Sequence, residues 1–184
     1  MLAEIRSRGL IAGPGSYQVR LNVEGKSQTV PLELKMGPRV TVSLADMQKE
    51  FDLELRIREI LSDLHDTVRE IRDTRAQIRN MRTRLEEARY KGINDSANAL
   101  EKKMTPIEDQ LLQTNAKSSE AILNYPALID EQLRGLIFSG EYDGAPTQQQ
   151  CQAFEALSQQ ALPLIDRWKN IKSSDVVTLN DLMK

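Results

Sequence analysis

Between Ser43 and Tyr90 the chain has neither glycine nor proline, and apolar residues recur at Ile57, Leu61, Leu64, Val68, Ile71, Ile78 and Leu85. Steps of three and four residues place those side chains on one stripe of an α-helix. Ser43 reads as its N-cap, with Asp46 standing where a capping box has Glu. The pattern predicts one uninterrupted helix of roughly 48 residues, about 70 Å long. A helix of that length needs partners along most of itself, because isolated helices in water are marginal. The chain is thereby constrained to helix-on-helix packing. Aromatic residues make up only 4% of the sequence, so the core must come mostly from Leu, Ile, Ala and Met. Arg75 and Arg82 interrupt the apolar seam and call for acidic neighbours.

The partners follow in order. Lys91-Gly92-Ile93-Asn94-Asp95 reads as the first turn. A second helix is expected from about Ser96 to about Leu123, with Leu100, Met104, Ile107, Leu111 and Leu112 apolar and Pro106 kinking it or ending its first part. Asn124-Tyr125-Pro126 restarts the chain, with Pro126 near the first position of a third helix carrying Leu128, Ile129, Leu133, Leu136 and Ile137. "SGEYDGAP" is a loop by composition. A fourth helix starts near Pro146 with the seam Cys151, Phe154, Leu157, Ala161, Leu164 or Ile165, Trp168 and Ile171, and Pro163 predicts a kink. Asp175 to Lys184 reads as a short last helix. Short loops between amphipathic helices make them antiparallel neighbours.

The start of the chain reads differently. Tyr17, Val19, Leu21 and Val23 alternate with Gln18, Arg20, Asn22 and Glu24, the period of a half-buried strand. Glu24-Gly25 is a turn. Val30, Leu32, Leu34 and Met36 alternate with Pro31, Glu33 and Lys35. Pro31 cannot donate to a ladder and favours an edge. A lone two-stranded hairpin is marginal in water, so its apolar face must be covered. The fold class is therefore mainly α: an up-down antiparallel helical bundle over residues 43–184 with one very long helix, preceded by a β-hairpin over 15–40 and a flexible N-terminus over 1–14.

Charge excludes some partners. The formal net charge is −2, which gives the chain as a whole no reason to seek nucleic acid or an anionic membrane. "RDTRAQIRNMRTRLEEAR" is basic, but its arginines are spread around the helix without interleaved aromatics. The long helix is polarised: seven acids and three bases from Asp46 to Asp66, then eight bases and four acids from Arg69 to Lys91. No apolar run approaches a spanning helix, so no membrane partner is expected. The first residues lack the long apolar region of a signal peptide, and one cysteine rules out an internal disulfide without fixing a compartment.

Chemistry-bearing residues are sparse. His65 reads as a helix-surface histidine, since the further ligands or base partners of a site are not spaced around it. Cys151 lies on an apolar seam and reads as a small buried hydrophobe. Glu59 with Asp63 and Asp66 with Glu70 are four residues apart, the spacing of paired carboxylates on one helix face. Arg56, Arg69, Arg72 and Arg79 are the simpler explanation, a salt-bridged surface. "GLIAGPG" lacks the spacing and the Lys-Ser/Thr of a phosphate loop. No catalytic, cofactor or metal residue is assigned, and the expectation is a protein that is not an enzyme.

The segments "PGSYQVRLNVEGKSQTVPLELKMGPRV", "LRIREILSDLHDTVREIRDTRAQI", "IEDQLLQTNAKSSEAILNYP", "GAPTQQQCQAFEALSQQ" and "LPLIDRWKNI" resemble the C-terminal region of large bacterial proteins with a β-propeller of BNR (Asp-box) type. Those proteins are labelled sortilin-like or glycosyl-hydrolase-like. The resemblance runs over nearly the whole chain from Pro14, and "KSSEAILNYP" and the Gly-x-Tyr-x-Val-x-Leu strand are its most specific parts. It departs at Gly37, where the family has Asp before Pro-Arg, and at Pro106 and Pro163. The resemblance implies that the hairpin is the last two strands of a β-sandwich followed by a helical tail, and that the parent is exported. No active-site residue carries over, because no segment here matches the propeller. The expectation is a non-catalytic helical interaction or structural domain. It self-associates through Tyr17, Val19, Leu21, Val23, Val30, Leu32 and Leu34 as a homodimer, or pairs with parent propeller or sandwich domains. The alternatives are a glycoside-hydrolase-related protein whose catalytic part is absent from this chain, and a coiled-coil adaptor docking a foreign helix on the long helix's seam.

Overall fold

The computed structural model describes residues 10–84, 87–116, 124–139 and 144–183. Of the expected flexible N-terminus, residues 1–9 lie outside the described residues. Strands β1 (Gly15–Val23) and β2 (Lys26–Leu34) form an antiparallel two-stranded sheet. Glu24 and Gly25, the turn expected from sequence, have φ of 49° and 79°. Positive φ at both positions is the type I′ turn, whose twist matches that of the strands it joins.

Helix α1 spans Leu44–Arg82. The Ser43 Oγ accepts from the Asp46 backbone N–H at 3.1 Å and donates to the Asp46 carboxylate at 2.8 Å. The cap is therefore the predicted one, with the shorter Asp taking the hydroxyl instead of the backbone. The helix is shorter than expected. It ends at Arg82, with Arg84 N–H donating to Met81 O and the Thr83 hydroxyl to Asn80 O. Helix α2 runs Glu87–Leu111, so Gly92, Asn94 and Asp95, expected as the first turn, lie inside a helix. The reason is the apolar row Ile93, Ala97, Leu100, Met104, Ile107 and Leu111, all buried, which carries the four-three spacing through that segment. Burying Ile93 and Ala97 outweighs the ~1 kcal/mol that a helical glycine costs. Leu85 and residues 117–123, part of the expected seam and second helix, lie outside the described residues.

Pro106 and Pro163 do not end their helices. Each is exposed, and so are Lys102 and Gln159 four residues before them. The carbonyls that lose a partner thus belong to water-facing residues. Helix α2 stops at Leu111, earlier than expected. Helix α3 (Ile129–Ser139) starts three residues after Pro126, where the Glu131 carboxylate accepts from Leu128 N–H. Helix α4 (Gln148–Ile171) opens on a capping box between Thr147 and Gln150. It continues through a π-helical segment, Lys172–Val176, into α5 (Val177–Leu182) instead of stopping before a separate last helix. The hydroxyls of Ser173 and Ser174 both donate to Asn170 O. This competition for a backbone acceptor marks the point where the ladder widens.

Cross-helix contacts fix the packing. Arg56 stacks over the Phe154 ring and Trp168 donates to Glu70, so α4 runs parallel to α1. Arg72 and Arg75 bond Glu108, and Arg82 bonds Glu101, so α2 runs antiparallel beside the C-terminal half of α1. Asp130, at the start of α3, meets His65, and α3 continues that antiparallel leg along the N-terminal half. The bundle thus has three legs: α1, α2 with α3, and α4 with α5. Among the described residues every buried apolar side chain, from Leu53 to Leu179, lies on these helices.

Candidate interaction surface

The strand register decides what the hairpin presents. Tyr17 is opposite Leu32, Val19 opposite Val30 and Gly15 opposite Leu34. Directly paired residues share a face, so Tyr17, Val19, Leu21, Val23, Val30, Leu32 and Leu34 are on one side. The other side carries Ser16 with Glu33, Gln18 with Pro31, Arg20 with Thr29 and Asn22 with Ser27. All seven residues singled out from sequence are therefore brought together. The bundle leaves them uncovered. Every residue of β1 is exposed, Leu21 to 62%, and in β2 only Leu34 is partly buried. No residue of either strand joins the buried core. Local bonds are few: the Tyr17 hydroxyl donates to Gly13 O at 2.7 Å, and Arg20 Nε reaches the Thr29 hydroxyl at 3.4 Å. The same face carries Lys26 opposite Val23 and Gln28 opposite Leu21, and a mainly apolar sheet face in water is a candidate interaction surface.

Several charged residues of the bundle are held by one another across helices. The buried Asp130 carboxylate sits 2.7 Å from His65 Nε2 and pairs with Arg134 one turn along α3. His65 is half-exposed and is a bridge between α1 and α3, a link that sequence spacing could not reveal. Glu70 receives Trp168 Nε1 at 2.6 Å and Lys172 at 2.8 Å. The bonds from Lys172 and then Trp168 hold its carboxyl below the usual range. Glu108 is buried, which pushes its carboxyl up, but the hydrogen bonds from Arg75 and Arg72 outweigh burial and hold it low. Arg75 and Arg82, the seam cations, find their acids inside the chain, on α2. Of the arginines offered to neighbouring acids on α1, Arg69 pairs with Asp66. Arg56 and Arg72 instead reach Phe154 and Glu108. Cys151 is partly buried against the core. Burial, followed by the charge of Glu54 one turn away, raises the Glu50 carboxyl.

Among the described residues no three His, Cys, Asp or Glu side chains gather as metal ligands. Among them too, no helix is long and apolar enough to cross a membrane. A shallow cleft of about 410 Å³ lies between α2 and the last turns of α4 with the π-helical segment, lined by Lys103, Asp166, Arg167 and Asp175 among others. Lys103 and Asp175 close on each other across it at 2.5 Å. Comparison of the chain with family models, with curated proteins and with solved structures finds no match.

Proposed function

We propose that this chain is a non-catalytic helical interaction and structural domain that self-associates through its N-terminal hairpin. The observation that carries the reading is the exposed apolar face formed by Tyr17, Val19, Leu21, Val23, Val30 and Leu32. The bundle has a closed core of its own and leaves that face to another polypeptide. A two-stranded sheet gains independent stability only when strands or a packed surface are added to it, and a second copy can supply strands in every preparation of the protein. The resemblance of the strands and the tail to the C-terminal region of BNR-propeller proteins supports a domain of this kind, in a parent whose ligand-handling part lies elsewhere.

Light scattering on the full chain and on a version beginning at Ser43 tests the proposal. The shortened chain retains the N-cap and the entire buried core. The expected result is a dimer that becomes a monomer when residues 1–42 are removed. Two dimers would move the interface to the bundle. Two monomers would leave the hairpin face to a different protein.

A further inference from the structure

The hairpin's two outer edges are not equivalent, and the difference names the strand that a second copy joins. In a two-residue type I′ hairpin the residues flanking the turn, Val23 and Lys26, form a pair that exchanges both hydrogen bonds, and such pairs then alternate along the ladder. With the observed register, the bonded pairs are Val23–Lys26, Leu21–Gln28, Val19–Val30, Tyr17–Leu32 and Gly15–Leu34. The intervening residues turn their N–H and C=O groups outward. On β2 these are Ser27, Thr29, Pro31 and Glu33. Pro31 has no N–H, so the outer edge of β2 lacks a donor at its centre, a device that blunts edge pairing. On β1 they are Ser16, Gln18, Arg20 and Asn22, every one able to donate and accept.

Resting on the reading of the hairpin as the association element, we propose that a second copy of this chain joins antiparallel to the outer edge of β1, in the register that sets Val19 opposite Val19 of the second copy. That register pairs all nine residues of β1, because Val19 is the midpoint of Gly15–Val23. It sets Gln18 against Arg20, Ser16 against Asn22, and Tyr17 against Leu21. Moving the centre to Arg20 would oppose two guanidiniums, and like charges directly opposite destabilise a pair. The outcome is a four-stranded sheet, β2-β1-β1-β2, in place of two marginal hairpins. The apolar rows become continuous across the two-fold axis. Packing the hairpins face to face would instead leave the outward donors and acceptors of each β1 to water, with no strand pairing gained.

Two proline substitutions discriminate the edges, since each removes an outward N–H and no backbone bond within the hairpin, Thr29→Pro giving up besides only the long 3.4 Å bond from Arg20 Nε to the Thr29 hydroxyl. Gln18→Pro is expected to weaken the dimer roughly tenfold to a hundredfold in Kd, read by sedimentation or light scattering against concentration. Thr29→Pro is expected to leave Kd unchanged, and circular dichroism confirms that both keep the helical bundle. Cross-linking gives the register. In a Cys151→Ser background, Val19→Cys forms a disulfide-linked dimer on mild oxidation, because directly opposed residues lie within disulfide reach. Val30→Cys does not, because three strand spacings put the two copies about 14 Å apart. Loss of the dimer with Thr29→Pro but not Gln18→Pro would overturn the edge assignment. So would equal loss with both, or Val30→Cys cross-linking in place of Val19→Cys. If neither proline matters yet removal of residues 1–42 still gives a monomer, the hairpins pack face to face. A shortened chain that stays dimeric defeats the underlying reading instead.

Discussion

The hairpin and the bundle obey the same patterning rule and end in opposite states. Each is amphipathic at its own period, two for the strands and 3.6 for the helices. In the bundle, three legs close on one another, and Leu64, Ile71, Met104, Ile107, Leu133 and Ala161 are fully buried. In the hairpin, Val19, Leu21, Val23 and Val30 stay between 46% and 62% exposed. Three amphipathic helices can enclose a seam, whereas two strands make a ribbon one layer thick with nothing among the described residues laid over it. On the proposed reading the contrast makes stability and association separable: the first belongs to the helices and the second to the strands. Each prediction below attacks one side of that division.

The largest effect belongs to the core. Trp168 is 1% exposed and also donates to Glu70. Trp168→Ala is expected to cost about 3–5 kcal/mol, a fall in Tm on the order of 10 °C, measured by thermal denaturation. If stability and association are separate, a temperature at which the variant remains folded will find its dimer Kd unchanged.

Next comes the ionic seam between α1 and α2. Glu108 is buried between Arg72 and Arg75 at 2.6 and 2.7 Å. Both arginines reach water, so Glu108→Gln is expected to cost about 2 kcal/mol, less than the full penalty of breaking an enclosed pair. The Glu108 carboxyl is held below its usual range. Its contribution is therefore complete above the unfolded glutamate pKa of about 4.3 and disappears as pH falls through the lower folded value. Urea unfolding at neutral pH and in acid should show the gap between wild type and variant closing below pH of roughly 4. A gap independent of pH would remove the ion pair from the account.

On the other side of the division, Leu21→Asp changes a residue 62% exposed. Its effect on unfolding of the bundle should stay within about 0.5 kcal/mol, while association weakens by roughly tenfold or more. A drop in Tm equal to that of a core variant would mean that the hairpin is packed on the helices, and the separation would fail.

How much of this was legible in the sequence depended on whether a feature was local or long-range. The hairpin, its turn at Glu24-Gly25, the Ser43 cap, the α1 seam through Ile57 and Leu64 and the α4 seam through Phe154 and Trp168 are local patterns, and they are found where they were read. The length of α1 was misread because punctuation by Gly92 was given more weight than the periodicity of Ile93 and Ala97, which carries the burial energy. In sequence Pro106 reads as a kink or an end and Pro163 as a kink; that each sits inside a continuing helix was hidden because a sequence does not say which residues face water. His65–Asp130 and Glu70–Trp168 join residues on different helices, and no spacing rule can pair them before the three-legged packing is known. The apolar residues of the hairpin were readable one by one, but their lack of cover among the described residues is a fact of tertiary structure.

The smallest effect sharpens the comparison, because it asks whether the bundle is as well satisfied as its closed core suggests. Glu50 and Glu54 lie one turn apart near the start of α1, each 8% exposed, and the Glu50 Oε2 has no hydrogen-bond partner among the described residues. Burial, with the like charge of Glu54 second, raises the Glu50 carboxyl above its usual range. A raised acid binds its proton more tightly folded than unfolded, so stability declines as pH rises from the unfolded value through the folded one, and at neutral pH the buried charge is a standing cost. Glu50→Gln keeps the shape and removes the charge. It is expected to stabilise the bundle by roughly 1 kcal/mol at pH 7, about 2–4 °C in Tm, and to bring no gain once the pH lies below the unfolded carboxylate pKa. The dimer Kd should not move, since Glu50 belongs to the helices. A destabilised variant at pH 7 would mean that the charged form of Glu50 is held by a favourable contact, and the bundle would then have no polar flaw at this end.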